Sequence, residues 1–448
     1  MKNNQLGKVL FVSLGCDKNR VDAEKMLGRI TDGGWGLTDD ETEADVIIVN
    51  TCCFINDAME ESIDSLLELA RYKEEGNCRA LIATGCMAQR YADQIRESIP
   101  EVDAVVGTTA YDKIAEVIRK AAGGERVREM DDLKKIALPD GKRLLTTGGH
   151  YAYLKIAEGC SKCCSYCAIP MMRGPFRSVP EESLLREARS LAEGGVKELI
   201  LIAQETTLYG TDLYGRKCLH ELIHELAKID GIHWIRVMYC YPEEIYPELI
   251  ECMKDEPKFL HYLDVPIQHS DDEILKKMGR RTNHDDLVRI IRTLRSEIPD
   301  IALRTTLIAG FPGESREMFE NLCVFINEME FDRLGVFPYS QEEGTRAAQM
   351  DGQIDEEVKK DRVDELMELQ QEIAFDRAKT RIGRELEVMI EGQVSGENTY
   401  IARSYMDAPD VDGYVFINTD ENLMTGDFVR VRITGSYEYD LYGELLAE

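Results

Sequence analysis

Short β-branched runs alternate with helix-period segments through about residue 110, the pattern of a parallel α/β unit. Lys8–Leu14 (KVLFVSL), Ala44–Asn50 (ADVIIVN) and Ala80–Thr84 (ALIAT) predict buried strands. Helices are predicted over Asn19–Ile30, Ala58–Tyr72, Ala88–Ser98 and, with basic character, Ala115–Ala122. Arg128–His150 is polar and punctuated by Gly and Pro, which marks a boundary and gives a first domain over 1–140. A second α/β series follows, with strands expected at Tyr151–Ile156, Glu198–Ala203, Trp234–Met238, Tyr262–Pro266, Ala302–Ile308 and Arg333–Pro338. Six βα units make a partial barrel rather than the eight of a closed one. With the long charged helix predicted over Glu356–Arg381, this second domain spans 148–378. From Leu386 the texture changes to LEVMIEGQ, YIARS, GYVFI and DFVRVRITGSY. That texture predicts a small antiparallel β-barrel of about five strands, laid out like an oligonucleotide-binding fold, over 379–448. The fold class is therefore α/β with a C-terminal β-barrel. No internal repeat of solenoid period and no low-complexity tract interrupts it.

Composition narrows the class. Hydrophobic residues make up 44% and charged residues 31% of the 448, which excludes a mostly disordered chain. No run approaches the ~18 apolar residues of a membrane span. In MKNNQLGKVLFVSLGC the apolar stretch Val9–Val12 is shorter than the ~7–15 residues of a signal core. Ser13 also stands three before Cys16, where a lipoprotein site has Leu, so a cytoplasmic location is expected. Lys plus Arg total 54 against 84 Asp plus Glu, a formal net charge of -30. Such a chain repels nucleic acid unless it carries a local basic patch, and attracts a basic partner. Residues 379–448 hold six basic and fourteen acidic side chains, a net of −8. Among them Asp407, Asp410 and Asp412 surround Pro409, in a turn expected to be exposed and to face Lys and Arg of that partner.

Thirteen cysteines, clustered in a chain of this size, point to metal or redox chemistry rather than disulfides. Cys160, Cys164 and Cys167 form CxxxCxxC in the loop after the first barrel strand. Three thiolates cannot saturate the four irons of a 4Fe-4S cluster, so one iron stays open to an exogenous ligand. The blander reading is zinc, since Cys160/Cys163 and Cys164/Cys167 are also CxxC pairs. Zinc sites of that type separate their pairs by ~15–20 residues, whereas these are adjacent, and Cys163 reads as a bystander. Cys16 (SLGC), Cys52 (NTC) and Cys86 (ATGC) each follow a predicted strand, 36 and 34 residues apart, one βαβ period each. Such positions converge at the carboxyl edge of a parallel sheet, where ligands bind. One buried Cys is usually a small core residue, but three equivalent ones suggest a second three-thiol cluster. Cys53, Cys78, Cys218, Cys240, Cys252 and Cys323 show no such pattern and read as packing residues.

The other strand ends carry Gln204 with Thr206 and Thr207, Tyr239, Gln268 with His269, the Gly310–Glu314 turn GFPGE, and Tyr339 with Ser340. In barrels the catalytic face is built from these loops, although caps and turns use the same residue types. His269 reads as a hydrogen-bonded structural residue. Arg236 and Arg304 lie within strands and suit a bound carboxylate or phosphate if they point inward. Gln204, Gln268 and Arg304 are the residues expected to contact a cofactor.

GCSKCCSYCAIP resembles the cluster loop of radical S-adenosylmethionine enzymes. Together with SLGCDKNRVDAE, NTCCFI, ATGCMAQRY, YLDVPIQHSDDEILKKMGRRT, RTTLIAGFPGE and GVFPYSQEEGT, it resembles the methylthiotransferase family from about residue 8 to 445. The small barrel matches that family's TRAM domain. SLGCDKNRVDAE and RSYMDAPDVDG resemble the group that modifies an aspartate of the twelfth small-subunit ribosomal protein, rather than the group that modifies adenosines of transfer RNA. Cys53, Cys163 and Val179 depart from the family's usual residues, and none of them removes a cluster ligand.

The resemblance implies two 4Fe-4S clusters. One, on Cys160, Cys164 and Cys167, binds S-adenosylmethionine, which is cleaved on reduction to a 5'-deoxyadenosyl radical. The other, on Cys16, Cys52 and Cys86, holds the sulfur. It implies an external electron donor, no membrane partner and no transfer-RNA substrate. An iron–sulfur carrier is the reading from another class, and it has no need of two open clusters or a six-unit barrel.

Overall fold

A computed structural model describes residues 6–135 and 141–446; residues 136–140 of the expected linker lie outside this range. In the N-terminal part, β1 (Lys8–Ser13), β2 (Gly36–Thr38), β3 (Val46–Thr51), β4 (Ala80–Gly85), β5 (Val102–Val106) and β6 (Val127–Glu129) form one sheet in the order β2-β1-β3-β4-β5-β6. Every pairing in it is parallel. β3 and β4 are buried along their whole length because helices cover both faces, which explains their continuous apolar sequence.

The central part opens with β7 (Tyr151–Lys155) and a two-residue hairpin of β8 (Ala157–Glu158) and β9 (Arg177–Ser178). β10 (Glu198–Ile202), β11 (Trp234–Val237), β12 (Phe259–Asp264), β13 (Ala302–Ala309) and β14 (Arg333–Pro338) complete a parallel six-stranded sheet, ordered β14-β13-β12-β11-β10-β7. This is the expected partial barrel. The helix Glu356–Lys379 packs back against β14 and buries Leu366, Ile373 and Ala374. GFPGE belongs to this packing rather than to the site. Glu314 accepts from the backbone N–H groups of Gly310 and Phe311 and pairs with Arg362 of the helix, and a Cβ on Gly310 would lie 2.4 Å from Lys359 Cγ.

At the C-terminus, β15 (Glu385–Gln393), β16 (Thr399–Ser404), β17 (Val415–Asn418), β18 (Phe428–Tyr437) and β19 (Asp440–Leu445) close a five-stranded barrel. It departs from the expected antiparallel layout in one place, since β17 and β19 run parallel and so join its two ends. Its Ala402, Met406 and Ala408 share one apolar core with Tyr151, Tyr153, Trp234 and Tyr262 of the central sheet. The small barrel is therefore seated against the inner face of the large one.

That seating corrects the expectation of an exposed acidic turn. The side chains of Asp407 and Asp412 are 2% and 1% exposed, and only Asp410, at 56%, faces solvent. Arg333 pairs with Asp407, Arg304 lies 3.6 Å from Asp412, and the Tyr262 hydroxyl donates to Asp412 at 2.8 Å. Inward-pointing arginines draw the turn into the interface.

Candidate active site

Cys16, Cys52 and Cys86 follow the ends of β1, β3 and β4, and glycines let these ends close up. Gly15 has φ +86, and a Cβ there would stand 2.9 Å from Cys52 Sγ. Gly85, at φ +92, passes within 2.4 Å of Thr51 O by the same measure. Asn19, on the helix Asp17–Asp32 that starts at Cys16, donates to Leu14 O at 2.9 Å and Thr51 O at 3.0 Å. It thereby ties the β1 and β3 ends together. Cys86 and Cys16 both act electrostatically on Cys52. Burial raises the Cys52 thiol to about 12 and pushes Cys86 up as well.

The second group stands on the loop after β8. Gly159 N–H donates to Gln204 Oε1 at 2.8 Å, Cys160 N–H to Gly174 O at 3.0 Å and Cys167 N–H to Cys164 O at 3.2 Å. Cys164 Sγ is 3.5 Å from the Tyr241 hydroxyl, and Tyr241 stacks under the Arg280 guanidinium at 4.2 Å. Cys160 and Cys164 are buried, and Cys163 is exposed with φ 55. Burial raises Cys160 to about 11 and pushes Cys167 upward, with Cys164 adding to both. Iron binds the thiolate, so cluster uptake at these positions releases protons.

Each set offers three thiols, the donor that iron–sulfur clusters take, and the cramped Gly15 position leaves no room for a side chain in the first. Among the described residues no group of three or more His, Cys, Asp or Glu is arranged to hold a single metal ion. A cube of four irons spaces its ligands more widely than one zinc ion does. In donor chemistry the two thiol sets suit such clusters.

Both loops reach one cavity of about 190 Å³, lined by Phe54 and Ile55 after Cys52, by Tyr166 between Cys164 and Cys167, and by Gln268, Thr306 and Phe337 of the barrel. Phe54 and Phe337 leave 49% and 48% of their surface exposed, as walls of an opening rather than core. Of the three residues expected to contact a cofactor, Gln268 lines this cavity. Gln204 is committed to Gly159 N–H and to Glu158 at 3.0 Å. Arg304 points inward as expected, but Asp264 at 2.9 Å and Asp412 take its guanidinium. Arg236 is likewise held by Glu198 and Tyr405 O. His269 is fully buried and accepts from Asp271 N–H at 2.9 Å.

Sequence reading missed the bridge between the two sites. The helix Ile169–Arg173 leaves the cluster loop and lands on the N-terminal part, where Met172 Sδ meets Cys53 Sγ at 3.2 Å. Arg173, 3% exposed, donates to Asn19 Oδ1 at 2.7 Å and Asp22 at 2.5 Å. Cys86 Sγ lies 4.0 Å from that same Asn19 oxygen. Lys155 joins the network through Asp22 and Glu158. The available signal was Asn19 and Asp22 on one face of a helix, three residues apart.

Three known families match consecutive stretches of the chain. They are Uncharacterized protein family UPF0004 over residues 8–107, the Radical SAM superfamily over 154–326 and the TRAM domain over 382–446. The chain is 59% identical to a protein of Lachnoclostridium phytofermentans named ribosomal protein uS12 methylthiotransferase RimO, across 97% of this chain and 99% of that one. Relatives of the same name reach 51% in Geobacter sulfurreducens, over 99% and 100% of the two chains, and 48% in Clostridium botulinum, over 98% of each. Among solved structures, the radical S-adenosylmethionine methyltransferase TsrM of Kitasatospora setae aligns with TM-score 0.54 at 15% identity, covering 73% of this chain and 72% of that one. The cobalamin-dependent S-adenosylmethionine radical enzyme OxsB aligns with TM-score 0.50 at 12% identity, covering 82% and 56%. At these identities the likeness is one of fold.

Proposed function

The chain belongs to the ribosomal protein uS12 methylthiotransferase RimO family, and on that premise we propose that it adds a methylthio group to the β-carbon of an aspartate in uS12. The observation that carries this reading is one cavity reached both by the segment after Cys52 and by the Cys160–Cys167 loop. We assign Cys160, Cys164 and Cys167 to one 4Fe-4S cluster and Cys16, Cys52 and Cys86 to a second. When bound, the clusters supply the electron that splits S-adenosylmethionine and the sulfur that is transferred, given a reducing donor.

The protein's own part is to hold, orient and exclude. Gln268 and Tyr166 face the ligand in the cavity. Phe54 and Phe337 close around the substrate and keep water from a radical reaction. Gln204 acts by fixing the cluster loop at Gly159, and Arg304 by seating the small barrel. Among the described residues no helix is long and apolar enough to cross a membrane. A ribosomal-protein substrate supports a cytoplasmic reaction.

Anaerobic reconstitution, followed by presentation of uS12 and transfer RNA side by side, tests the reading by mass spectrometry. Methylthiolated uS12 is the expected product, and methylthiolated adenosine would overturn the substrate. Cys160→Ala should lose S-adenosylmethionine cleavage. Cys52→Ala should keep cleavage and lose methylthiolation. Cys163→Ala should retain the iron of both clusters. Loss of as much iron from Cys163→Ala as from Cys164→Ala would refute the assignment of the loop.

A further inference from the structure

We propose that Lys18 receives the carboxylate of the substrate aspartate and sets the preference for an acidic side chain over its amide. The inference rests on the function proposed above and adds the residue that recognises the substrate. Lys18 stands two residues beyond Cys16, in the first turn of the helix Asp17–Asp32, so its backbone is fixed beside one thiol group. Its side chain is 8% exposed and its ammonium lies over the Tyr239 ring, 2.8 Å from the centroid. Tyr239 follows β11 at the same end of the barrel as the cavity, and Cys16 and Asp17 both act on its hydroxyl.

The ammonium is poorly satisfied for a buried charge. Among the described residues its one ion-pair partner is Asp17 Oδ1, at 3.2 Å. That oxygen also accepts from the Lys18 backbone N–H at 3.0 Å and from the Tyr239 hydroxyl at 3.2 Å. One carboxylate oxygen offers about two lone pairs, so three donors oversubscribe it, while the ammonium has three protons to place. A buried charge held this loosely is costly unless a further anion completes it.

Most of the other cations around the two sites already face carboxylates. Arg173 and Lys155 each face Asp22 and Glu158, and Arg304 faces Asp264 and Asp412. Arg280 lies on the Tyr241 ring and donates to Pro266 O at 2.8 Å; among the described residues its Nε is without a partner, but it stands beside the Cys164 loop, away from Cys16. Of these cations, Lys18 is the one beside the Cys16 thiol with capacity left for a carboxylate.

The shelf beneath it is built rather than incidental. Tyr239 and Gln268 hold left-handed backbone conformations, φ 63 and φ 72, after neighbouring strands. Such conformations in residues other than glycine persist only where surrounding contacts enforce them, and they gather at ligand sites. Here the Tyr239 N–H donates to Asp264 at 3.1 Å and its carbonyl accepts from Thr206 N–H at 3.1 Å.

The full chain, loaded anaerobically with both clusters, is titrated with uS12 carrying its aspartate or with that residue changed to asparagine. Wild type should bind the aspartate form about ten- to hundredfold more tightly, the range of a charge-assisted contact in a dry site. Lys18→Met should reduce that preference to about threefold or less, and Lys18→Arg should keep most of it. An undiminished preference in Lys18→Met, or an equal loss for both substrates, overturns the proposal. Should Lys18→Met fail to fold, Lys18→Gln is read by the same criterion. Iron content and the paramagnetic resonance of each cluster are recorded throughout. Wild type holding a single cluster would count against the thiol assignment and not against Lys18.

Discussion

Glu205 follows β10 by three residues and is shut away from solvent, with Oε1 accepting from Thr207 N–H at 3.0 Å and Oε2 without a partner. Burial lifts its carboxyl from the ordinary 4.5 to about 7, the Thr207 hydroxyl and Lys162 pull it back in part, and Glu244 and Glu243 push it up. Below pH 4.5 the group is protonated whether the chain is folded or not. Between 4.5 and 7 the unfolded chain releases the proton that the folded chain keeps, so stability is lost as pH rises through that window. The loss is on the order of 3 kcal/mol at most. Glu205→Gln keeps the Thr207 contact and cannot ionise. Its melting temperature should therefore fall less than that of wild type between pH 5 and pH 8, and parallel pH profiles would disprove the account. Sequence reading marked Gln204, Thr206 and Thr207 and passed over Glu205, because QETT does not tell which side chain turns from water. Lys155 and Arg173 escaped for the same reason. Their importance lies in carboxylates contributed by other elements, and no local pattern encodes that. The positions of the six cysteines were legible, as distinct from their role, because each follows a strand or shares a short loop, and spacing records both.

At the level of elements, periodicity sufficed wherever burial is a property of the element itself. The six barrel strands and the helix Glu356–Lys379 fall within a few residues of where their patterns put them. β2, β5 and β6 were missed; β2 and β6 are three residues long and too short to show a period, and β5 is a five-residue run, VDAVV, too brief to stand out. The turn around Pro409 was misread for a physical reason. Asp, Pro and Gly in succession mark a turn and carry no information about what covers it. Arg304 and Arg333, which cover it, are donated by β13 and β14. Asp407 also accepts from the Ser404 hydroxyl at 2.6 Å, so its carboxylate is bonded from both barrels. Asp407→Ala should consequently cost about 3–5 kcal/mol, the price of stranding a buried partner, here Arg333. Arg333→Met should be comparably costly alone, and the double variant should cost less than the sum. Denaturation of the three variants measures this coupling, and strict additivity would show the pair to be independent. Charge reversal at Asp407 or Asp412 therefore unseats the small barrel, and says nothing about capture of substrate.

On the scale of the whole molecule, the described residues offer no dedicated acidic turn to meet a basic partner. The small barrel pairs part of its acid, since Glu391 meets Arg403 within it and His150 of the central part, while Glu385 pairs with Arg430 and Arg432. What remains is the field of a chain with net charge -30, spread over its whole surface. A diffuse field of this kind steers encounter rather than holding a complex, so it acts on the association rate and leaves dissociation to the cavity. The screening length shrinks from about 30 Å at 0.01 M salt to about 8 Å at 0.15 M. Association with a cationic uS12 should slow by about tenfold or more across that range, while dissociation changes little, as stopped-flow mixing of the loaded enzyme with uS12 would read. Asp410→Lys should alter the rate only slightly, because one of many exposed charges is changed. Transfer RNA gives the opposite sign. Its phosphates meet the same negative field, so residual binding should be weakest at low salt and should not gain from counterion release. Binding of transfer RNA that tightens as salt is removed would reveal a basic surface strong enough to overcome the net charge, and the steering argument would fail with it.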